Sequence, residues 1–223
     1  MRLSAINNKK IALGLFGISY QKNYKHWMGW ETNIDWRKAN VNTAFIPFIK
    51  KKNNLDVFIS TYHSPLEKKL ISDFKPKAIS FKDFVCNKEN EQWVKNRHLM
   101  FKQTLDLMEA FLSIEKYDYF IITRFDIRFN MDYIADGEID KKSVNVTSKW
   151  CIGDDCGFVD DCFYMFNGKI FKTFKKLIFS LPDDKQDIAY YHKLHQYPLS
   201  PNFSFLIQNA YHSHTCPAYH IVR

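Results

Sequence analysis

Apolar and polar positions in the first half of the chain switch repeatedly between an extended and a helical period. Residues 11–18 form a short apolar run that predicts a buried strand. Leu55-Asp56-Val57-Phe58-Ile59-Ser60-Thr61 predicts a second, ended by Tyr62-His63-Ser64-Pro65, and Ala78-Ile79-Ser80-Phe81 a third. Helical spacing falls between them. Residues 36–49 predict a helix as far as Ala44 that stops near Pro47, and residues 67–74 a short helix. The most strongly periodic segment is 90–114, where Trp93, Val94, Phe101, Leu105, Met108 and Leu112 recur on one stripe and Asn90 is placed to cap the start. A strand over 119–125 follows. Strands alternating with helices predict an α/β domain with a mostly parallel central sheet flanked by helices.

The second half reads differently. Residues 144–150 and 162–166 are strand-like, and Gly153-Asp154-Asp155-Cys156-Gly157 between them is a turn or loop. Asn167-Gly168 predicts a tight turn. Residues 169–179 are amphipathic, with Ile170, Phe171, Phe174, Leu177 and Ile178 on one stripe. A further helix is expected over 183–196 and a late strand over 203–207. No repeat and no low-complexity linker interrupts the 223 residues, so a single domain is expected.

Composition narrows the partners. Thirty-two Lys and Arg against 24 Asp and Glu give a formal net charge of +8, which suits nucleic acid, a membrane surface or phosphorylated small molecules. The basic pairs are scattered (Lys50 to Lys52, Lys68-Lys69, Lys141-Lys142, Lys175-Lys176) and no basic tail exists, which argues against nucleic acid. The five cysteines, Cys86, Cys151, Cys156, Cys162 and Cys216, form no CxxC pair and lack zinc spacing. They read as reduced thiols of a cytoplasmic protein. No apolar run approaches the roughly 20 residues of a transmembrane segment. Lys9-Lys10 ahead of the first apolar run resembles a short signal core, yet Ser19-Tyr20-Gln21-Lys22 carries no cleavage pattern, and a first buried strand is the better reading.

Four features carry candidate chemistry. The first is Arg124-Phe125-Asp126-Ile127-Arg128, where an apolar strand ends in charge. In extended chain Arg124, Asp126 and Arg128 share one face and Phe125, Ile127 and Phe129 the other. An acid between two arginines can hold a divalent cation and a diphosphate together, or can be a structural ion pair. The second is the glycine loop ending at Gly157, which permits close approach of a ligand. The third is Asp160-Asp161 ahead of an apolar strand. One carboxylate can face a cleft as a general base, or both can be polar loop residues. The fourth is His212 and His214, which share a face if extended and suit a manganese-like or zinc-like ion. Trp27, Trp30 and Trp36 lie in a polar segment over 20–36 and can stack on a sugar or belong to the core; at least one is expected in the core.

Taken in order, these features resemble glycosyltransferases of the GT-A type, and residues 117–129 resemble a segment of small bacterial and viral members. The resemblance implies one Rossmann-like domain with a small antiparallel acceptor-side sheet. Residues up to about 130 would form a nucleotide-sugar-binding half and residues from about 131 to 223 an acceptor-side half. It implies transfer of a sugar from a nucleotide-diphosphate sugar to a hydroxyl of a glycan or other acceptor, assisted by Mn²⁺ or Mg²⁺, with inversion. Asp161, or else Asp160, would be the base; Asp126 with His212 or His214 would hold the metal. Arg124, Asp126, Arg128 and Arg97 would meet the diphosphate, and Phe16, Gly17, Thr61 and Tyr62 at the front strand ends would meet the nucleoside. In a strict DxD motif Arg124 would be an acid. The alternatives are a metal-dependent phosphohydrolase built on Asp126 and Asp160-Asp161, or a basic module that binds RNA or another polyanion.

Overall fold

The computed structural model describes residues 1–25, 31–84, 92–112, 116–147, 149–152, 155–159, 162–181, 194, 200–206 and 219–221. In chain order the strands of the front half are β1 (Lys10–Phe16), β2 (Tyr20–Lys25), β3 (Glu31–Asp35), β4 (Asn54–Tyr62), β5 (Ala78–Lys82), β6 (Tyr119–Arg124) and β7 (Ile127–Phe129). They are joined by helices α1 (Ile46–Lys50), α2 (Glu67–Phe74) and α3 (Gln92–Leu112). The back half adds α4 (Met131–Asp136), β8 (Val144–Val146), β9 (Lys149–Ile152), β10 (Asp155–Val159), β11 (Phe163–Asn167), α5 (Phe171–Ser180), β12 (Phe203–Phe205) and β13 (Tyr219–Ile221).

Seven strands form one sheet in the order β12-β8-β11-β6-β1-β4-β5. β11 runs antiparallel to both neighbours and every other pairing is parallel. The expected α/β architecture with a mostly parallel sheet is therefore present, and β9 with β10 forms a small antiparallel pair beside it. Parallel strands buried on both faces must be apolar on both faces. On β1, Ile11, Leu13 and Leu15 enter one core layer with Trp36, Val41, Phe45, Ile49, Leu70 and Phe74. Ala12 and Phe16 enter the other, with Phe101, Leu105, Met108, Phe171, Phe174 and Leu177 of α3 and α5. Trp36 is thus a core residue, 3% exposed. Gly14 explains how closely α3 lies on β1: a Cβ there would sit 2.6 Å from Thr104 Cγ2 and 3.0 Å from Met108 Sδ.

Three local expectations change. The helix expected to stop near Pro47 instead begins again there: a π-helical turn over Val41–Phe45 runs into α1, with Pro47 in its first turn. That position needs no N–H donor, so proline is tolerated. The strand expected over 144–150 is two strands in two sheets, β8 and β9. Gly157 lies within β10 rather than in a loop, in a stretch where the β9–β10 register shifts between Asp155 and Phe158; glycine favours such a bulge. The helix expected over 183–196 falls almost wholly outside the described residues, as do Trp27 and Trp30.

The amino-terminal edge of the sheet is tied by a partly buried charge network. Asp56 at β4 accepts from Lys77 Nζ at 2.9 Å and Tyr117 Oη at 2.7 Å. Burial opposes the charge on Asp56, but the bonds from Lys77 and Tyr117 outweigh it and hold its carboxyl below the ordinary value of 3.8. A depressed folded pKa contributes stability above the ordinary range, and that contribution is lost as pH falls through the folded value. Asp56→Asn is therefore expected to cost about 1–2 kcal/mol at neutral pH. Melting curves at pH 7 and at pH 3 check it: the gap between wild type and variant should close in acid, and a constant gap would refute the assignment.

Candidate functional site

The parallel strands bring their carboxyl ends to one edge. Phe16 of β1 is level with Ser60 of β4 and with Arg124 of β6. Ser60, Thr61 and Tyr62 are level with Ser80, Phe81 and Lys82 of β5. β11 is antiparallel, so it enters from the same edge, with Phe163 beside Thr123. Binding sites of open α/β sheets form along this edge. The sequence candidates Phe16, Gly17, Thr61, Tyr62, Arg124 and Asp126 meet there.

Each has a defined local role. Phe16 is 2% exposed and packs on Phe101 at 4.8 Å between ring centroids, which leaves its ring in the core. Gly17 has φ of +101°, a conformation that L side chains avoid, and open space where a Cβ would lie. Its N–H donates to Ser60 O at 3.2 Å. The chain then turns to Ser19, whose N–H donates to Thr61 Oγ1 at 3.2 Å, while that hydroxyl donates to Ser19 Oγ at 2.9 Å. Thr61, fully buried, thus anchors the loop after β1. Tyr62 is buried against the edge of Phe84 at 5.0 Å.

At the end of β6 the chain does not continue extended. A turn at Phe125 and Asp126 separates β6 from β7. Asn40 fixes the segment beyond it: its Nδ2 donates to Phe129 O at 2.7 Å and its Oδ1 accepts from Phe129 N–H at 2.6 Å, as a strand partner would. The turn folds Asp126 back on Arg124. Nε donates to Oδ1 at 2.9 Å and Nη2 to Oδ2 at 2.5 Å, a two-pronged ion pair. Both side chains are largely buried, 18% and 8% exposed. Burial works against the charge of Arg124, yet Asp126, with the nearby Cys162 thiol and Tyr219 phenol, raises its pKa further. Arg124 Nη1 lies 4.0 Å from Cys162 Sγ. Phe125, Ile127 and Phe129 take the buried face, as the alternation predicts. Arg128 is exposed on β7, level with His220 of β13, and makes no ion pair with a described residue, so the expected trio of Arg124, Asp126 and Arg128 is a pair plus a separate cation.

The guanidinium has five N–H donors and Asp126 engages only two of its nitrogens. Nη1 donates to Cys162 Sγ, which leaves one hydrogen on each of Nη1 and Nη2 beyond these three contacts. Both oxygens of Asp126, by contrast, already accept from Arg124. Among the described residues no group of three or more His, Cys, Asp or Glu is placed to hold a metal ion. A divalent cation needs several oxygen or nitrogen donors, and of the metal ligands expected from the sequence Asp126 alone lies among the described residues. His212 and His214 lie outside the described residues. So do Asp160 and Asp161, although Cys162, the residue after them in sequence, sits against Arg124. Arg97 belongs to α3, but its side chain is outside what the structure describes.

One feature of this edge was not legible in the sequence. His63, just beyond β4, stacks on Phe81 of β5 with ring centroids 5.4 Å apart and planes at 23°. Its Nδ1 lies 2.7 Å from Glu67 Oε1. A carboxylate only accepts, so the proton sits on Nδ1, and this bond holds the Glu67 carboxyl below its usual range. The side chain of His63 is 54% exposed and offers a flat face to solvent. The i, i+4 spacing of His63 and Glu67 is the one sequence signal that could have found it.

No protein-family model matches the chain, and no curated protein matches it. Among solved structures, the inositol-1-phosphate CTP transferase from T. maritima aligns over 92% of this chain and 87% of its own, at 10% sequence identity and a TM-score of 0.49.

Proposed function

We propose that the protein is a GT-A-type glycosyltransferase that moves a sugar from a nucleotide-diphosphate sugar to an acceptor hydroxyl. The observation that carries this reading is the Arg124–Asp126 pair at the carboxyl end of β6, held beside the open loop at Gly17. A buried guanidinium with spare donors at that point suits a diphosphate, where negative charge grows as the donor bond breaks. Asp126 then positions Arg124. The nucleoside lies along the ends of β1, β4 and β5, with its base on the exposed face of His63. This half of the site belongs to residues up to about 130, and the acceptor side to the remainder.

In the reaction the acceptor oxygen forms a bond to the anomeric carbon while the bond from that carbon to the diphosphate breaks. The electron pair leaves with the nucleoside diphosphate, and Asp161 takes the hydroxyl proton. Attack from the face opposite the leaving group inverts the configuration. Arg124 donates hydrogen bonds to the departing diphosphate from the hydrogens that Asp126 and Cys162 do not take, and no step is assigned to a metal.

The test is a thermal melt with UDP, GDP and dTDP, each with and without Mn²⁺. At about 100 times its dissociation constant a ligand adds roughly 2.7 kcal/mol, or about 5–10 °C for a chain of this size. The shift should appear with at least one nucleoside diphosphate. No shift with any of them overturns the reading; a shift that appears only with Mn²⁺ restores a metal to the site. Asp161→Asn should keep the shift and abolish transfer, and intact turnover in that variant would move the base to Asp160.

A further inference from the structure

We propose that the amino-terminal edge of the central sheet, opposite the candidate site, is a docking surface for an anionic lipid bilayer. In sequence the lysines look scattered, but the topology gathers them. Lys50, Lys51 and Lys52 precede β4, Lys75 precedes β5 and Lys116 precedes β6. Lys141 and Lys142 precede β8, and Lys169 follows the antiparallel β11, which ends on this same edge. All of these are exposed, and none forms an ion pair with a described residue. The row spans the strands from β8 to β5, about 24 Å at the usual strand spacing.

The acids on this edge do not cancel it. Asp56 is engaged by Lys77 and Tyr117, and Asp118 by Lys9 at 3.5 Å and the Lys10 N–H at 2.9 Å. Asp140 accepts from Ser143 Oγ at 2.5 Å and from the Lys142 N–H at 2.9 Å. Lys9, Lys10 and Lys77 offset Asp118 and Asp56, and Lys142 with the amino terminus offsets Asp140, so the rest of the exposed row is surplus.

The chemistry of the row selects its partner. Among the described residues the exposed rings of Tyr133 and Phe179 lie on α4 and α5, and that of His63 on the opposite edge, rather than on these turns. Single-stranded nucleic acid requires stacking platforms, which this edge lacks among the described residues. Lysine is a flexible, hydrated point charge that suits a diffuse negative surface, and the lysines of this row line one sheet edge. No helix among the described residues is long and apolar enough to cross a membrane, so contact would be peripheral. Docked this way, the edge bearing Arg124 faces the aqueous phase. This proposal does not depend on the transferase reading.

The experiment is co-sedimentation of the full chain with phosphatidylcholine vesicles, with and without phosphatidylglycerol, at low and high salt. Binding should require phosphatidylglycerol and weaken as salt rises. Each lysine near an anionic leaflet contributes roughly fivefold. The variant Lys50→Gln/Lys51→Gln/Lys142→Gln should therefore lose roughly 100-fold in partitioning. A control, Lys38→Gln/Lys68→Gln/Lys176→Gln, removes the same charge elsewhere and should bind like wild type, with both variants melting like wild type. Equal loss in the two variants would overturn the proposal, as would sedimentation indifferent to phosphatidylglycerol. Retention on heparin or RNA without vesicle binding would assign the edge to a soluble polyanion instead.

Discussion

Asp126→Ala should lower the stability of the protein by about 3–5 kcal/mol, because it leaves the Arg124 charge buried without its partner. For a domain of this size that is a fall of roughly 10 °C or more in melting temperature. The cost comes from desolvation rather than from the pair itself. The guanidinium stays protonated at any accessible pH, and its side chain is only 18% exposed. Removing both partners together, as in Arg124→Met/Asp126→Ala, should therefore recover at least half of the loss. Thermal melts of the two single variants and the double variant form the measurement. If the double variant is as unstable as Asp126→Ala, the destabilisation is not an orphaned charge. The same variants separate stability from binding. Arg124→Met should remove the response to nucleoside diphosphates at a temperature where the variant is fully folded, since the spare donors leave with it. A full response in Arg124→Met would refute the role assigned to the guanidinium.

Phe120→Ala should cost about 3–5 kcal/mol, the range for truncating a fully buried aromatic ring. Phe120 is the second residue of β6, wholly buried, with its ring centroid 4.4 Å from that of Phe171 and 5.8 Å from that of Phe166. The ring joins the central strand to α5, so its loss opens a cavity between sheet and helix that neighbouring rings fill only in part. Phe120→Leu keeps most of the volume and should cost under about 1.5 kcal/mol. Denaturant titration of the two variants checks this. Equal costs would mean that aromatic contact, rather than cavity volume, sets the energy at this position.

How much was legible can be judged on particular elements. The strands at β1, β4, β5 and β6 and the helices α2, α3 and α5 follow from period alone, because each has one strongly apolar face or is apolar throughout. Pro47 misled because proline ends a helix from the inside but starts one from its first turn. The β8–β9 segment differs because one strand-like stretch can serve two sheets, and nothing in its residues marks where the chain crosses over. At the site, the charge cluster after β6 was visible as an anomaly. The turn that folds Asp126 onto Arg124 was not, since it depends on Asn40, which is far away in sequence and clamps Phe129. His63 is hidden in the sequence for a similar reason: its stacking partner, Phe81, comes from the next strand.

The amino-acid sequence by itself determined the layers of this protein, because burial forces an apolar period on every strand and helix that meets the core. It also determined which end of β6 would carry charge. Only the tertiary structure decided what those charges do. Arg124 and Asp126 could have faced a ligand side by side, and the turn at Phe125 instead satisfies one with the other, leaving the spare donors of the arginine as the group free to act. The lysines show the same division. Their number is written in the chain, but parallel strands alone place lysine-bearing turns on the edge opposite the site, where scattered charges become one surface.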